Sequence, residues 1–289
     1  MTKNEEKKMK VLVTGVTGQL GFDVMGELKR RGIECLGAGH ADFSLTDFAA
    51  TRNFIDAYGP DVVIHCAAYT AVDKAENEPE LCAAVNDAAV RNIAGVCRDT
   101  MAKLVYISTD YVFSGEGTEF YVPEAPKAPR NVYGQTKLAG ERAVQEILKE
   151  YFIVRISWVF GKNGQNFIKT MLQLGKTHTA LTIVDDQVGS PTYTVDLAKL
   201  LVDLAATEKY GVYHATNEGV CSWAEFASEV FHQAGLNIKV TGVPSSAYPT
   251  KAVRPHNSRL SKKCLAAAGF ARLPAWQDAV RRYLQEIGR

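Results

Sequence analysis

Tyr133 and Lys137 stand four apart in NVYGQTKLAGERAV, residues 131–144, where a helical pattern begins. Residues i and i+4 share one face of a helix. A phenol and an ammonium on one face can act as a proton donor and the charge that tunes it. Free tyrosine ionises near pH 10, and bringing it toward 7 takes roughly 4 kcal/mol of preferential phenolate stabilisation. A neighbouring cation is one source of that stabilisation. Taken alone, the pair also fits the polar side of an amphipathic surface helix. Thr109, in STDYVF (108–113), follows a strand pattern and offers a hydroxyl that can hold a substrate oxygen beside Tyr133. Such a trio suits carbonyl reduction, with the hydride from a cofactor and the proton from a side chain.

A cofactor turn is legible upstream. VTGVTGQLG places Gly15, Gly18 and Gly21 between a strand pattern and a helix pattern. Glycine permits a sharp turn and close backbone approach. The helix start offers free N–H groups and a positive dipole end to a pyrophosphate. The spacing, G-x-x-G-x-x-G, is one residue wider at the front than the commoner dinucleotide fingerprint. Asp42 lies about 20 positions past the glycines, where an acidic residue often grips the ribose hydroxyls. No arginine stands at the end of the second strand pattern to claim a 2′-phosphate, so the sequence leaves NADH and NADPH both open.

The elements that must position these residues alternate. KVLVTG, IECLGA, DVVIHCAA, KLVYIST and YFIVRISWVFG read as strands. Between them lie helix patterns in QLGFDVMGELKRRG, in LTDFAATRNFIDAYG with Thr46 or Asp47 as cap, from about Glu80 to Thr100, and from Tyr133 to about Lys149. Alternation of this kind predicts an α/β fold, a Rossmann-type doubly wound parallel sheet covered on both faces. Residues 1–160 are expected to form the dinucleotide-binding unit, with a helix and strand near 194–216 returning to it. The rest of 161–289 is expected to form a smaller, discontinuous substrate lobe, with helices at NFIKTMLQLG and SWAEFASEVFHQAG. It would lie over the carboxyl ends of the strands, where ligands bind in such folds.

Composition narrows the function class. The 289 residues are 46% hydrophobic and carry a formal net charge of +1, which suits a globular protein and gives no broad field for nucleic acid or an acidic membrane. The six cysteines form no C-x-x-C pair and no zinc pattern, so they read as free thiols of a reducing compartment. MTKNEEKKMK lacks the apolar core of a signal peptide and no apolar run approaches a membrane span, so a cytoplasmic protein is expected. The first nine residues are expected to stay mobile until the first strand captures the chain.

With these residues in place, the chain resembles the extended short-chain dehydrogenase/reductases, and among them the dTDP-4-dehydrorhamnose reductases. The resemblance runs from about Lys10 to the C-terminus. Its most specific stretches are TAVDKAE, STDYVF, NVYGQTKLAGE, ISWVFG, DQVGSPT, and SAYPT followed by RPHNSRL. It implies NAD(P)H-dependent reduction of the 4-keto group of dTDP-6-deoxy-L-lyxo-4-hexulose to dTDP-L-rhamnose. By position, Tyr133 becomes the proton donor, Lys137 its partner, and Thr109 the third member. Gly18, Gln19 and Leu20 would hold the pyrophosphate, within a turn that includes Gly15, Thr17 and Gly21. Asp42 and Phe43 would meet the adenosine, and Ala67, Ala68, Tyr69 and Thr70 would run along the cofactor. Thr109, Asp110 and Trp158 would touch the sugar nucleotide, and Arg254 would pair with its diphosphate. Asn257 lies in the same covering lobe.

Two departures from the family pattern stand out. His65 and Cys66 replace an asparagine common early in the loop after the third strand, a substitution expected to act through packing. Some relatives bind magnesium through glutamates at a dimer interface. Here Asp23 follows Gly21-Phe22, the helix around Asp196 lacks an adjacent acidic pair, and Asp185-Asp186 read as loop. No required metal is therefore expected, and the chain is read as a monomer or weak homodimer. Two other functions fit the fold. A sugar-nucleotide epimerase or dehydratase is one, although dehydratase relatives carry Asp-Glu after the threonine and this chain has Asp110-Tyr111. A non-catalytic NADP-binding regulatory subunit is the other, although such proteins often lose the tyrosine or lysine retained here.

Overall fold

The computed structural model describes residues 9–289; the expectation of a mobile leading segment falls on residues 1–8, outside them. The first half alternates as expected. β1 (Lys10–Thr14), α1 (Gln19–Arg30), β2 (Glu34–Ala38), α2 (Phe48–Tyr58) and β3 (Val62–His65) follow one another. Asp47 caps α2 through Ala50 N, and Gly59 ends it in the left-handed conformation. After two short helices, α3 (Val72–Ala75) and α4 (Pro79–Ala83), a π-helical turn over Ala84–Ala88 leads into α5 (Ala89–Thr100). The helix expected from Glu80 to Thr100 is therefore continuous but locally widened. β4 (Lys103–Thr109), α6 (Val132–Ile147) and β5 (Tyr151–Ile156) complete this half.

The second half is less regular. It contains β6 (Val159–Phe160), α7 (Phe167–Leu174), β7 (Ala180–Val184), β8 (Val188–Gly189), β9 (Thr192–Tyr193), α8 (Thr194–Ala205) and β10 (Gly211–His214). β11 (Cys221–Ser222), α9 (Trp223–Gln233), β12 (Lys239–Val243), β13 (Asn257–Ser258), α10 (Lys263–Ala267) and α11 (Trp276–Glu286) follow. The strand expected over YFIVRISWVFG is broken: it stops at Ile156 and resumes at Val159. Trp158 between the two pieces has φ +51°. β7, β12 and α11 are absent from the expected elements.

The main sheet runs β10-β5-β4-β3-β1-β2, and every neighbouring pair is parallel. The chain leaves β1 for β2 on one side and returns to β3 on the other, so the strand order reverses at β1/β3. The crevice at the carboxyl ends of the strands opens there. Successive strand residues point to opposite faces, and the core follows that rule. Val11 and Val13 pack with Leu20, Val24 and Leu28 of α1 and with α8, whereas Leu12 and Val63 pack with α2, α5 and Val144 of α6. α8 thus lies in the sheet's own core, and β10 pairs with β5. A separate core joins Phe160, Ile168 and Met171 to Phe226, Val230 and Phe231 of α9 and to Trp276, Val280 and Tyr283 of α11. The parallel pair β7–β12 lies beside α9. Among the described residues no helix is long and apolar enough to cross a membrane.

Candidate active site

The glycine turn is held by backbone packing. Gly15 has φ +70°, and a Cβ there would come within 2.6 Å of Ala67 N at the end of β3. At Gly21 a Cβ would meet Gly15 O at 2.3 Å. The loop therefore folds flat against β3 and the first turn of α1. Gly18 caps α1 with no side-chain hydrogen bond, so the first N–H groups of the helix are left for a ligand. The Gln19 side chain looks outward instead: its Oε1 accepts from Gly161 N at 2.9 Å and from Asn166 Nδ2 at 3.0 Å. Asn163 Nδ2 donates to Thr17 O at 2.7 Å. These bonds set the turn against the loop before α7.

From the turn a cleft of about 1360 Å³ runs along the carboxyl ends of the strands. Gly15, Thr17, Gly18, Gln19, Leu20, Gly21, Ala67, Ala68 and Thr70 all line it, as do Thr109, Asp110, Tyr133, Lys137, Trp158 and Arg254. Asp42, Phe43, Tyr69 and Asn257 do not. Asp42 Oδ2 accepts from its own chain at Gly39 N, 2.7 Å away. The Phe43 ring packs on Phe54 with centroids 4.9 Å apart. The wall at that end is built from His40, Ser44, Leu45 and Thr46. Tyr69 donates its hydroxyl to Glu78, and its backbone is clamped by Asn86 of the π-helical turn. That turn thus shapes the loop beside the cleft. Asn257 is buried, with Nδ2 donating to Glu119 O at 2.9 Å and Glu116 O at 3.3 Å. It is a bracket within the lobe.

α6 brings the reactive pair to the middle of the cleft. Asn131 caps it through Gly134 N at 2.8 Å and donates from Nδ2 to Val253 O at 2.8 Å. Lys137 is buried, with Nζ donating to Ile107 O at 2.7 Å and standing 4.0 Å over the Tyr106 ring. The Tyr133 phenol meets the Thr109 hydroxyl, and Tyr111 packs edge-on against it at 5.4 Å. Thr109 Oγ1 also donates to Asp110 Oδ1 at 2.9 Å. Asp110 in turn accepts from Ser258 Oγ, which ties the lobe to the end of β4.

The electrostatics differ from the expectation of a phenol pulled toward neutral pH by its lysine. Burial pushes the Tyr133 phenol above its ordinary value, against a smaller lowering by the Thr109 hydroxyl. Burial also pulls the Lys137 ammonium down to about 7, opposed chiefly by Glu141. Tyr133 and Lys137 share a helix face, yet among the described residues no hydrogen bond joins their polar atoms; the ammonium is spent on Ile107 O. The phenol is held as a neutral proton donor. Asp110 is raised to about 6 by burial, against its bonds to Ser258 and Thr109.

The far end of the cleft is aromatic. Trp158 stacks on Trp223 with ring centroids 3.7 Å apart and planes at 14°. Trp223 Nε1 donates to Gln187 Oε1 at 3.2 Å, and Phe167 packs on Trp223 at 4.6 Å. Trp223, Gln187 and Phe167 also line the cleft, and the sequence reading does not include them. Arg254 Nη2 donates to Asp73 Oδ2 at 2.6 Å, and Nη1 reaches the Tyr111 hydroxyl at 3.4 Å. Asp73 lies in TAVDKAE, so two of the specific stretches meet across the cleft.

The acidic residues weighed for a metal are engaged otherwise. Asp23 accepts from Thr194 Oγ1, Asp196 is gripped at both oxygens by Arg282, and Asp185 and Asp186 accept from Ser222 and Ser245. Among the described residues no group of three or more His, Cys, Asp or Glu is placed to hold a metal ion. All six cysteines are free. The expected packing role of His65 is visible: it is buried, with Nδ1 2.7 Å from Thr14 Oγ1 and its ring stacked on Tyr106.

The family described as RmlD substrate binding domain matches residues 9–289. A dTDP-4-dehydrorhamnose reductase of Streptomyces griseus is 44% identical over 278 residues, 93% of this chain and 91% of that protein. Among solved structures, a dTDP-4-dehydrorhamnose reductase of Clostridium acetobutylicum superposes with a TM-score of 0.95 at 39% identity, covering 97% of this chain and 100% of that one. A dTDP-4-dehydrorhamnose reductase of Bacillus anthracis, in complex with NADP, gives 0.94 at 40% identity over 96% and 99%. The glycine turn, the Tyr133–Lys137 helix and the full-length likeness agree: the chain belongs to the dTDP-4-dehydrorhamnose reductase family of the extended short-chain dehydrogenase/reductases.

Proposed function

We propose that this chain is an NAD(P)H-dependent oxidoreductase that reduces the 4-keto group of dTDP-6-deoxy-L-lyxo-4-hexulose to dTDP-L-rhamnose. The observation that carries this reading is the placement of Tyr133, Lys137 and Thr109 in one cleft continuous with the glycine turn. Bound dihydronicotinamide supplies the hydride to C4. The neutral Tyr133 phenol gives its proton to the ketone oxygen as the alkoxide develops. Thr109, on turning its single hydroxyl proton from Asp110 to that oxygen, holds it beside the phenol. Lys137 sets its positive charge on the same helix face and stabilises the phenolate left behind. Trp158 walls the deoxysugar ring, and Arg254 pairs with the diphosphate.

The two halves of the chain divide this work. Residues 9–160 with α8, β10 and α10 form the dinucleotide unit, and most of the rest of 161–289 forms the substrate lobe. NADPH is the preferred donor in this reading. The Asp42 carboxylate is turned onto Gly39 N, so no acid repels a 2′-phosphate, and His40, Ser44 and Thr46 offer polar groups at that end. The Bacillus anthracis relative holds NADP. One chain supplies every residue invoked, which supports a monomer or weak homodimer. A soluble nucleotide-sugar substrate supports a cytoplasmic site of action. Dehydratase chemistry is disfavoured, because Tyr111 stands where elimination needs a glutamate; an epimerase would retain its cofactor through turnover and consume no external NAD(P)H.

A spectrophotometric assay tests the reading. NADPH and NADH loss are followed separately against the dTDP-4-keto sugar, with and without a chelator. Turnover in excess of enzyme, faster with NADPH and indifferent to the chelator, is expected. No net oxidation of either cofactor would contradict the assignment.

A further inference from the structure

α6 carries a third polar residue on the Tyr133–Lys137 stripe. Glu141 lies four positions beyond Lys137, on the same face, and is only 1% exposed. Its Oε1 accepts from Ser108 Oγ at 2.5 Å and from Arg155 Nε at 2.8 Å. Its Oε2 accepts from Arg155 Nη2 at 2.7 Å. Arg155, on β5 and equally buried, spends Nη1 on Pro123 O at 2.8 Å, with His214 Nε2 at 3.3 Å.

A buried ion pair is a poor device for stability alone. Well-packed apolar residues in its place are often neutral or better. Its location beneath the reactive pair is the informative feature. Three consecutive residues of β4 hold the three polar side chains of the stripe. Thr109 meets Tyr133, Ile107 O receives Lys137, and Ser108 holds Glu141.

We propose that Glu141, anchored by Arg155 and Ser108, is a positioning residue whose buried carboxylate keeps Lys137 protonated and seated on the Ile107 carbonyl. The proposal rests on the reading of Tyr133 and Lys137 given above. Among the described residues no carboxylate is bonded to Lys137; its direct partners there are a carbonyl and an aromatic ring. Burial favours the neutral amine there. The titratable groups facing it come from four elements. β3 and its loop present His65, neutral with its pKa pulled to about 3 by burial, and Cys66, pushed up to about 12. α4 presents Cys82, β4 presents Tyr106, and α6 itself presents Tyr133, all raised by burial. Glu141 is the one carboxylate on the Tyr133–Lys137 stripe, and it is paired with Arg155. Arg155 lies on its far side and is neutralised by it.

The test compares wild type with Glu141→Gln and with the pair Glu141→Gln/Arg155→Met. Two quantities are read: the Lys137 titration in cofactor-free protein by NMR of labelled lysine, and the alkaline limb of kcat against pH. Glutamine keeps the acceptor for Ser108 but leaves Arg155 uncompensated. Both the lysine midpoint and the alkaline limb are expected to fall by about one pH unit or more, a tenfold change in the protonation ratio. The paired variant leaves no lone buried charge and is expected to lie between Glu141→Gln and wild type. It also carries the test if the single variant does not fold. Superposed titrations in the folded variants, with the limb unmoved, would overturn the proposal. The lysine titration needs no turnover, so failure of the reductase reading, seen as full activity in Tyr133→Phe, is separable from failure here.

Discussion

At the Gly15–Gly21 turn the cleft is made of backbone, whereas at Trp158 it is made of side chains gathered from distant segments. The turn lies within nine consecutive residues and is locked by contacts such as Gly21 against Gly15 O. The Trp158 wall needs a broken strand, the N-terminus of α9 and the loop of Gln187. A site built from local backbone is fixed by the chemistry of a few glycines. A site built from distant side chains is fixed by tertiary packing and varies freely with substrate. One end of the cleft should therefore respond to mutation through cofactor affinity, and the other through substrate KM.

Between the two ends of the cleft, the larger effect is expected at the turn. Gly21→Ala drives a Cβ into Gly15 O and should weaken cofactor binding by about a hundredfold, since an ångström of misplacement costs that much. Equilibrium binding within threefold of wild type would show that the turn is not the cradle. Next comes Arg254→Ala, expected to raise KM for the sugar nucleotide roughly thirtyfold by loss of a charge-assisted pair with the diphosphate. Cofactor affinity should stay put, and a weakened cofactor instead would erase the contrast between the two ends. Trp158→Ala follows, with a roughly tenfold rise in the same KM from lost aromatic contact. An unchanged KM would assign Trp158 to the packing of Trp223 alone.

The smallest effect concerns the link between the two regions. Asp110 joins Thr109 to Ser258, and its carboxyl sits near 6 in the folded state, above the ordinary 3.8. A group raised by folding contributes most when protonated, and that contribution is lost as pH rises through 6. Asp110→Asn has no charge to bury, so its melting temperature should gain a few degrees on wild type as pH rises from about 4 to just above 6. A difference that stays flat across that range would mean the carboxylate is better solvated than its burial implies.

Legibility in the sequence follows the same division. Strand, turn and helix were readable because glycine spacing and the two-residue strand period are local. The Tyr133–Lys137 stripe was readable for the same reason. Asp42 and Phe43 misled because residue counting from the glycines ignores the path of the chain. After β2 the backbone turns, and Asp42 folds onto Gly39 N, leaving His40, Ser44 and Thr46 at the wall. Asn257 was a polar residue in the right lobe whose amide serves two backbone carbonyls. The pairing of Trp223 and Gln187 with Trp158 carried no signal, since it exists only after folding. The π-helical turn was hidden because its purpose, clamping Tyr69 through Asn86, is tertiary. The seating of Lys137 on the Ile107 carbonyl was out of reach for a related reason. Spacing places two groups on one face but says nothing of the carbonyl that captures one of them.

The most direct test of the account is Tyr133→Phe, read as single-turnover reduction of the keto sugar beside equilibrium cofactor binding. Loss of the phenolic proton should slow the chemical step by at least about a thousandfold, within the range of general-acid catalysis, while cofactor affinity moves less than threefold. Near-normal turnover in that variant would show that the proton comes from elsewhere.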